Sequence, residues 1–206
     1  MSTKTALRKT QAERTEASDQ NMLDAAIQLI VAKGPAATSL KDVGILAGYS
    51  RGLAGHRFGS KDKLFAFVLR RVGDEWLNHL MAATSGKTGI DAVHQALDEH
   101  YQFCVDAPDH VRTFYTLWFE SVNAGSELAE IIKNIHHRRH YDVRKWILDA
   151  DDVSDETKHS ADAIAGQFCA SIIGIVYYWM ANPADLEGTR SLHEQLKTNM
   201  ALFLTA

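Results

Sequence analysis

Proline occurs three times in the 206 residues and cysteine twice, and strand-like alternation of apolar and polar residues is hard to find. Both cysteines, Cys104 and Cys169, sit in apolar runs. They offer neither a disulfide framework nor a metal-ligand spacing, which points to a reducing compartment. The opening stretch MSTKTALRKTQAERTEASDQ lacks the apolar core of a secretory signal. These absences predict a cytoplasmic protein. One uncharged run, residues 163–181, is nearly long enough to span a bilayer. It carries Gly166, Gln167, Ser171 and Gly174 among amphipathic neighbours, so it is read as a buried helix with no membrane partner.

What is present is the punctuation of an all-α chain. A first helix is predicted over residues 18–33, stopping at Gly34-Pro35. Ser39-Leu40-Lys41-Asp42 has the capping-box pattern, with Asp for the usual Glu. A short second helix follows and ends at Ala47-Gly48. Ser50 is expected to cap a third helix, and Ser60 a fourth that runs to about residue 83. Beyond the linker at 84–89, helices are predicted near 90–105, 109–123, 126–149, 156–181 and 188–204. This gives a head at 1–70, with 1–17 as a flexible basic arm, and a body at 71–206.

Charge divides in the same way. Residues 1–71 hold twelve Lys and Arg against six Asp and Glu, and residues 72–206 hold ten against twenty. A +6 head on a −10 body predicts a polyanion partner for the head.

The stretch GYSRGLAGHRFGSKDKLF, residues 48–65, carries glycines at 48, 52, 55 and 59. Each glycine inside a helix costs roughly 1 kcal/mol relative to alanine. Helix, glycine turn, helix over 39–58 is the layout of a helix-turn-helix, whose second helix lies in the DNA major groove. Val43, Ala47, Ala54 and Phe58 can form its small internal face. Gly52 and Gly55 keep the second helix thin enough for close approach to a duplex. Arg51 and Leu53 are the candidates for reading base edges. Ser39, Lys41, Tyr49, Ser50, Gly52, His56, Arg57 and Lys61 complete the expected DNA-binding set, with backbone phosphates as partners of His56, Arg57 and Lys61.

In TSLKDVGILAGYSRGLAGHRFGSKDKLF, residues Ala47-Gly48, Ser50, Gly52, Phe58, Ser60-Lys61 and Leu64 stand where the TetR/AcrR signature places them. The chain thus resembles that family of bacterial transcriptional regulators. Departures occur at Leu53, usually a small hydroxyl residue, at Ala54 and Gly55, and at His56-Arg57, so operator sequence does not carry over. The resemblance implies a three-helix DNA-binding head and a helical body that dimerises and binds an effector. The dimer is expected through the last two long helices, where Gly166, Ala170 and Gly174 form a smooth strip beside Ile173. The effector, an unknown small molecule, is expected among His100, Phe103, Phe114, Tyr115, Trp118, Tyr177 and Tyr178, with Phe119, Glu120 and Asn123 as further candidates.

The expected function is therefore a ligand-responsive, dimeric regulator of double-stranded DNA, a repressor released from a pseudo-palindromic operator. No enzymatic activity, metal or other cofactor is expected. Gly86-Lys87-Thr88 lacks the upstream glycine of a phosphate-binding loop. His136 and His140, one helical turn apart, lack a third ligand nearby in sequence. The alternative is a small-molecule-binding or enzymatic helical bundle whose basic head is incidental.

Overall fold

The computed structural model describes residues 10–121 and 127–205; Asn123 and the arm at 1–9 lie outside them. Ten helices are present among the described residues: α1 (Gln11–Ala37), α2 (Leu40–Leu46), α3 (Leu53–Phe58), α4 (Lys61–Ala83), α5 (Gly89–Asp106), α6 (Pro108–Ser121), α7 (Glu127–Leu148), α8 (Asp155–His159), α9 (Ala161–Ala181) and α10 (Leu186–Leu204). The chain forms two compact units that divide at Val68 and Leu69.

In the first unit, α1 starts seven residues before the expected Ser18. Thr10 supplies the reason. Its hydroxyl accepts from the Glu13 amide, and the Glu13 side chain returns to the Thr10 amide, so a capping box closes there. The helix is interrupted at Gly34, whose φ of 79° lies in the left-handed region. Met22, Ala26, Ile27 and Ile30 of α1 are buried with Val43, Ala54, Leu64 and Val68. Full burial of a side chain such as Leu64 contributes roughly 2 kcal/mol. The Phe58 and Phe67 rings pack at 5.1 Å between centroids, tilted by 44°.

The second unit is a bundle in which α9 packs on α7 and α10, and α10 on α5. Its core includes Val93, Leu97, Val143, Ile147, Phe168, Ile172 and Met200. The helix predicted over 156–181 is two helices. Ser154 caps α8 by accepting from the Thr157 amide, and Ser160 (φ −93°, ψ 3°) breaks the path before α9. α9 is long and apolar enough to cross a membrane, with a mean hydropathy of 1.5 over its most apolar window. One of its faces, including Ala165, Phe168, Ile172, Val176 and Trp179, is buried in the bundle. Cys104 and Cys169 are free thiols, both buried. Burial pushes Cys104 up to about 12 and raises Cys169 as well.

Candidate nucleic-acid interface and body cavity

The segment from α2 to the end of α3 is built on glycines with different tasks. Gly48 (φ 84°) and Gly59 (φ 76°) take backbone conformations that L side chains avoid. Gly44 does something else. A Cβ there would stand 3.0 Å from the Ser50 carbonyl oxygen and 3.7 Å from Ala54 Cβ, so the two helices cross closely because residue 44 has no side chain. The Tyr49 amide donates to the Gly44 carbonyl at 2.9 Å and closes the turn. Sequence reasoning singled out four glycines in the motif and missed Gly44. Its position, one residue after the buried Val43, was the available signal.

Gly52 and Gly55 have no atom within 4 Å of where a Cβ would stand, so nothing inside the chain demands them. Gly55 is helical and has no positive φ. Replacing Gly55 with alanine should therefore stabilise the head by about 1 kcal/mol. Hydrogen exchange of the α3 amides checks this, with protection expected to rise roughly fivefold.

Ser50 does not cap α3 through its side chain. The N-cap is Gly52, which makes no side-chain bond, while the Ser50 carbonyl accepts from the Leu53 amide at 3.1 Å. The helix starts two residues later than expected because the turn extends through residues 47–52. Ser39 does cap α2, accepting from the Asp42 amide at 3.2 Å. Asp42 also pairs with Lys33 at 2.8 Å, and that bond to Lys33 holds its carboxyl below the usual range.

The expected DNA-contacting residues fall into two groups. Lys41, Arg51, Gly52 and His56 are exposed, and Leu53 is half-buried beside them. The others have partners of their own. Tyr49 Oη accepts from Asn21 Nδ2 at 3.0 Å. Arg57 grips Asp19 of α1 through Nε at 3.0 Å and Nη2 at 2.5 Å, and these bonds to Asp19 raise its pKa further. Lys61 Nζ donates to the Ala36 carbonyl at 2.7 Å and lies 5.6 Å from the Phe65 ring centre. Arg57 and Lys61 thus hold the head together in addition to any phosphate contact.

In the body, α4, α6 and α7 line a cavity of about 320 Å³. Its walls are mainly apolar, with Trp76, Leu80, Phe114 and Ile135 among them, and Arg138, Arg139 and Asp142 come from α7. Of the expected effector residues, only Phe114 borders this space. His100, Phe103 and Tyr115 border a pocket of about 10 Å³ instead, and Trp118 is buried with Phe114 and Tyr115 against its ring. Phe119 and Glu120 are exposed. Tyr177 and Tyr178 line none of these spaces. Tyr177 is 71% exposed, and Tyr178 Oη donates to Asp185 at 2.6 Å at the start of α10. The i, i+4 pattern places them outward on α9 with the exposed Ala170 and Gly174. Ile173 is half-buried, and Gly166 faces His140 of α7, whose Nε2 lies 3.8 Å from where a Cβ would stand.

A buried pair missed in sequence reasoning joins α5 to α10. His193 Nδ1 lies 2.8 Å from the Thr189 carbonyl, and His193 Nε2 lies 2.9 Å from His100 Nδ1. A carbonyl can only accept, so His193 carries its proton on Nδ1 and accepts from the His100 Nδ1–H. Both rings are then neutral. Desolvation holds both pKa values below 6.5, His100 well below, where the repulsion that a protonated His193 and Arg139 would exert adds to it. The unfolded chain therefore binds protons near pH 6.5 that the folded chain refuses, and stability is lost as pH falls below that value. The melting midpoint is expected to drop between pH 7 and pH 5, by about 2–4 °C for each kcal/mol lost. An H100N/H193Q double variant should lose much of that slope in differential scanning calorimetry.

His140 Nε2 lies 3.1 Å from the Asp162 carbonyl oxygen, and no cluster of three metal-ligating side chains occurs among the described residues.

Residues 22–68 match the model of the bacterial regulatory proteins of the tetR family. The HTH-type transcriptional repressor Rv3405c of Mycobacterium tuberculosis is 34% identical over 79 residues, which span 38% of this chain and 40% of that protein. Among solved structures, a transcriptional regulator from Rhodococcus sp. Rha1 superposes with a TM-score of 0.78 at 21% identity, over 91% of this chain and 96% of its own. A transcriptional regulator from Saccharomonospora viridis in complex with choline superposes with a TM-score of 0.74 at 16% identity, over 88% and 95%. Residues 22–68 thus carry the DNA-binding signature of the tetR family of bacterial regulatory proteins, and the fold of the chain is shared along nearly its whole length with solved transcriptional regulators.

Proposed function

We propose that the protein is a dimeric, cytoplasmic repressor that binds a pseudo-palindromic operator through α3 and leaves it when a small molecule enters the body. The observation that carries this reading is the outer surface of α3 and of the turn that leads into it. Arg51, Gly52 and His56 are exposed there, and the two glycines of the segment, Gly52 and Gly55, serve no packing purpose within the chain. Arginine donates to guanine in a bidentate way, and leucine packs on a thymine methyl, which suits Arg51 and Leu53. A twofold dimer would set two such helices about 34–36 Å apart.

The dimer contact in this reading is the outer face of α9 with α10. Ala170 and Gly174 are exposed there, with Tyr177 at 71%, Leu202 at 67% and Phe203 at 41%. Small residues between large apolar ones suit close helix approach across a twofold axis. The effector site is the 320 Å³ cavity, a size that suits a small ligand. Leu69, Gly73 and Leu77 of α4 line it, and the first turn of the same helix carries Lys61 of the head. A ligand that prefers one dimer shape weakens operator binding by its differential affinity for the two.

Fluorescence anisotropy on duplexes flanking the protein's own gene, against a scrambled duplex at two salt concentrations, tests the reading. Specific binding that weakens with salt is expected. Absence of binding to any duplex at low salt would leave the helical bundle with an incidental head as the better account.

A further inference from the structure

We propose that the body cavity takes an amphiphilic ligand with an anionic head, a carboxylate, and that Arg139 is the residue that binds it. This rests on the reading of the cavity as the effector site and names the chemistry of what enters.

Leu128, Ile132, Ile135, Val143 and Ile147 recur along α7 at the spacing of one helix face, and all but the half-buried Ile135 are buried. Arg139 occupies that same stripe, four residues from Ile135 and four from Val143. Its guanidinium is thereby drawn inward, while Arg138 next to it stays exposed and grips Asp142 with Nε at 2.9 Å from each carboxylate oxygen.

What Arg139 finds inside does not neutralise it. Nη2 donates to the Tyr115 hydroxyl at 3.2 Å, and the guanidinium lies 5.6 Å from the Trp118 ring centre. Nη1 is buried without a hydrogen-bond partner among the described residues. No carboxylate pairs with it there: Asp142 is held by Arg138, and Glu127 by Arg70. His100, whose pKa the Arg139 charge helps to lower, is neutral. A guanidinium does not shed its proton to escape burial, and an unpaired buried charge is costly. An anion that brings two acceptor oxygens to the guanidinium would pair the charge, and would satisfy Nη1 once the group turns toward the cavity.

Arg139 borders the 320 Å³ cavity and both smaller pockets beside it. The other charged groups at the main cavity are Arg70, Arg138, Asp74 and Asp142. Two of these are spent on each other and Arg70 is spent on Glu127, while Asp74 is exposed to solvent and does not pair with Arg139. The remaining wall is largely hydrocarbon and aromatic. An apolar body with one anionic end fits that distribution; a cation such as the choline held by the Saccharomonospora viridis regulator does not.

The test is isothermal titration of the full chain at pH 7.5 with two acid–alcohol pairs, octanoate with octanol and 4-phenylbutyrate with 4-phenylbutanol, and with choline as the cationic probe. At least one acid should bind tenfold or more tighter than its alcohol. Arg139→Met should bring that acid down to its alcohol's affinity, leave the alcohol unchanged, and melt no lower than the wild type. Arg139→Lys should keep part of the preference. Alcohols or choline binding as tightly as the acids, or an acid preference that survives in Arg139→Met, would overturn the assignment while leaving the effector cavity standing. If no probe binds at all, the effector-site reading fails and this inference fails with it.

Discussion

Gly44→Val is expected to unfold the α2–α3 crossing and abolish operator binding. Even a lone Cβ at residue 44 would sit 3.0 Å from the Ser50 carbonyl oxygen, a backbone atom that cannot swing aside. Valine adds two methyl groups to that contact. Overpacking of this kind costs typically 1–3 kcal/mol, and more where backbone must move. The four tryptophans are at 76, 118, 146 and 179, all outside the head, so tryptophan fluorescence would not report the change. Hydrogen exchange over residues 40–58 would, with protection lost in α2 and α3 and kept in α9. Gly44→Ala should destabilise more mildly, opposite in sign to Gly55→Ala eleven residues later. Two glycines of one motif thus give opposite answers to the same substitution. Full protection in Gly44→Val would refute the packing argument.

Arg51→Ala should weaken operator binding by about 5- to 150-fold, the range that corresponds to 1–3 kcal/mol for loss of a bidentate base contact, and leave the melting midpoint unchanged. Arg51 is exposed and no interaction of its side chain is seen among the described residues. Arg57→Ala is the informative contrast. It removes the grip on Asp19, so it should loosen α3 from α1 as well as reduce affinity. Binding and melting measured on both variants separate a reading residue from a holding one. If Arg51→Ala bound the operator as well as the wild type does, base recognition would have to lie with Leu53 or His56.

The head was the most legible part of the chain because its information is local. Caps, turn glycines and the Val43/Ala54 face all lie within about twenty residues, and Ser39 and Gly48 do in the structure what their types imply. Ser50 misled because a hydroxyl before a helix marks a cap only if the helix begins at once, and here the turn runs on to Gly52. The body was legible as helices and much less as contacts. Tyr177 and Tyr178 were expected to line the effector pocket because they are aromatic residues in an uncharged helix. An uncharged helix can still keep one face outward, and residue type does not say which face. His100 and His193 lie 93 residues apart, beyond any local pattern. Arg139 is the instructive case. Within His136-His137-Arg138-Arg139-His140 it reads as part of a solvated basic face. Stepping by four from Ile135 to Val143 passes through Arg139, and that register was the signal of an inward arginine.

The buried thiols turn the body into its own clock. Cys104 and Cys169 are shielded from solvent, and burial keeps both in the thiol form at neutral pH. An alkylating reagent attacks thiolates, so it reaches them only when α5 or α9 transiently opens. The labelling rate of an unmodified native chain therefore counts those openings, helix by helix when the two adducts are resolved by mass. Any molecule that binds the closed body slows the count in proportion to its occupancy, without fluorophore, tag or DNA.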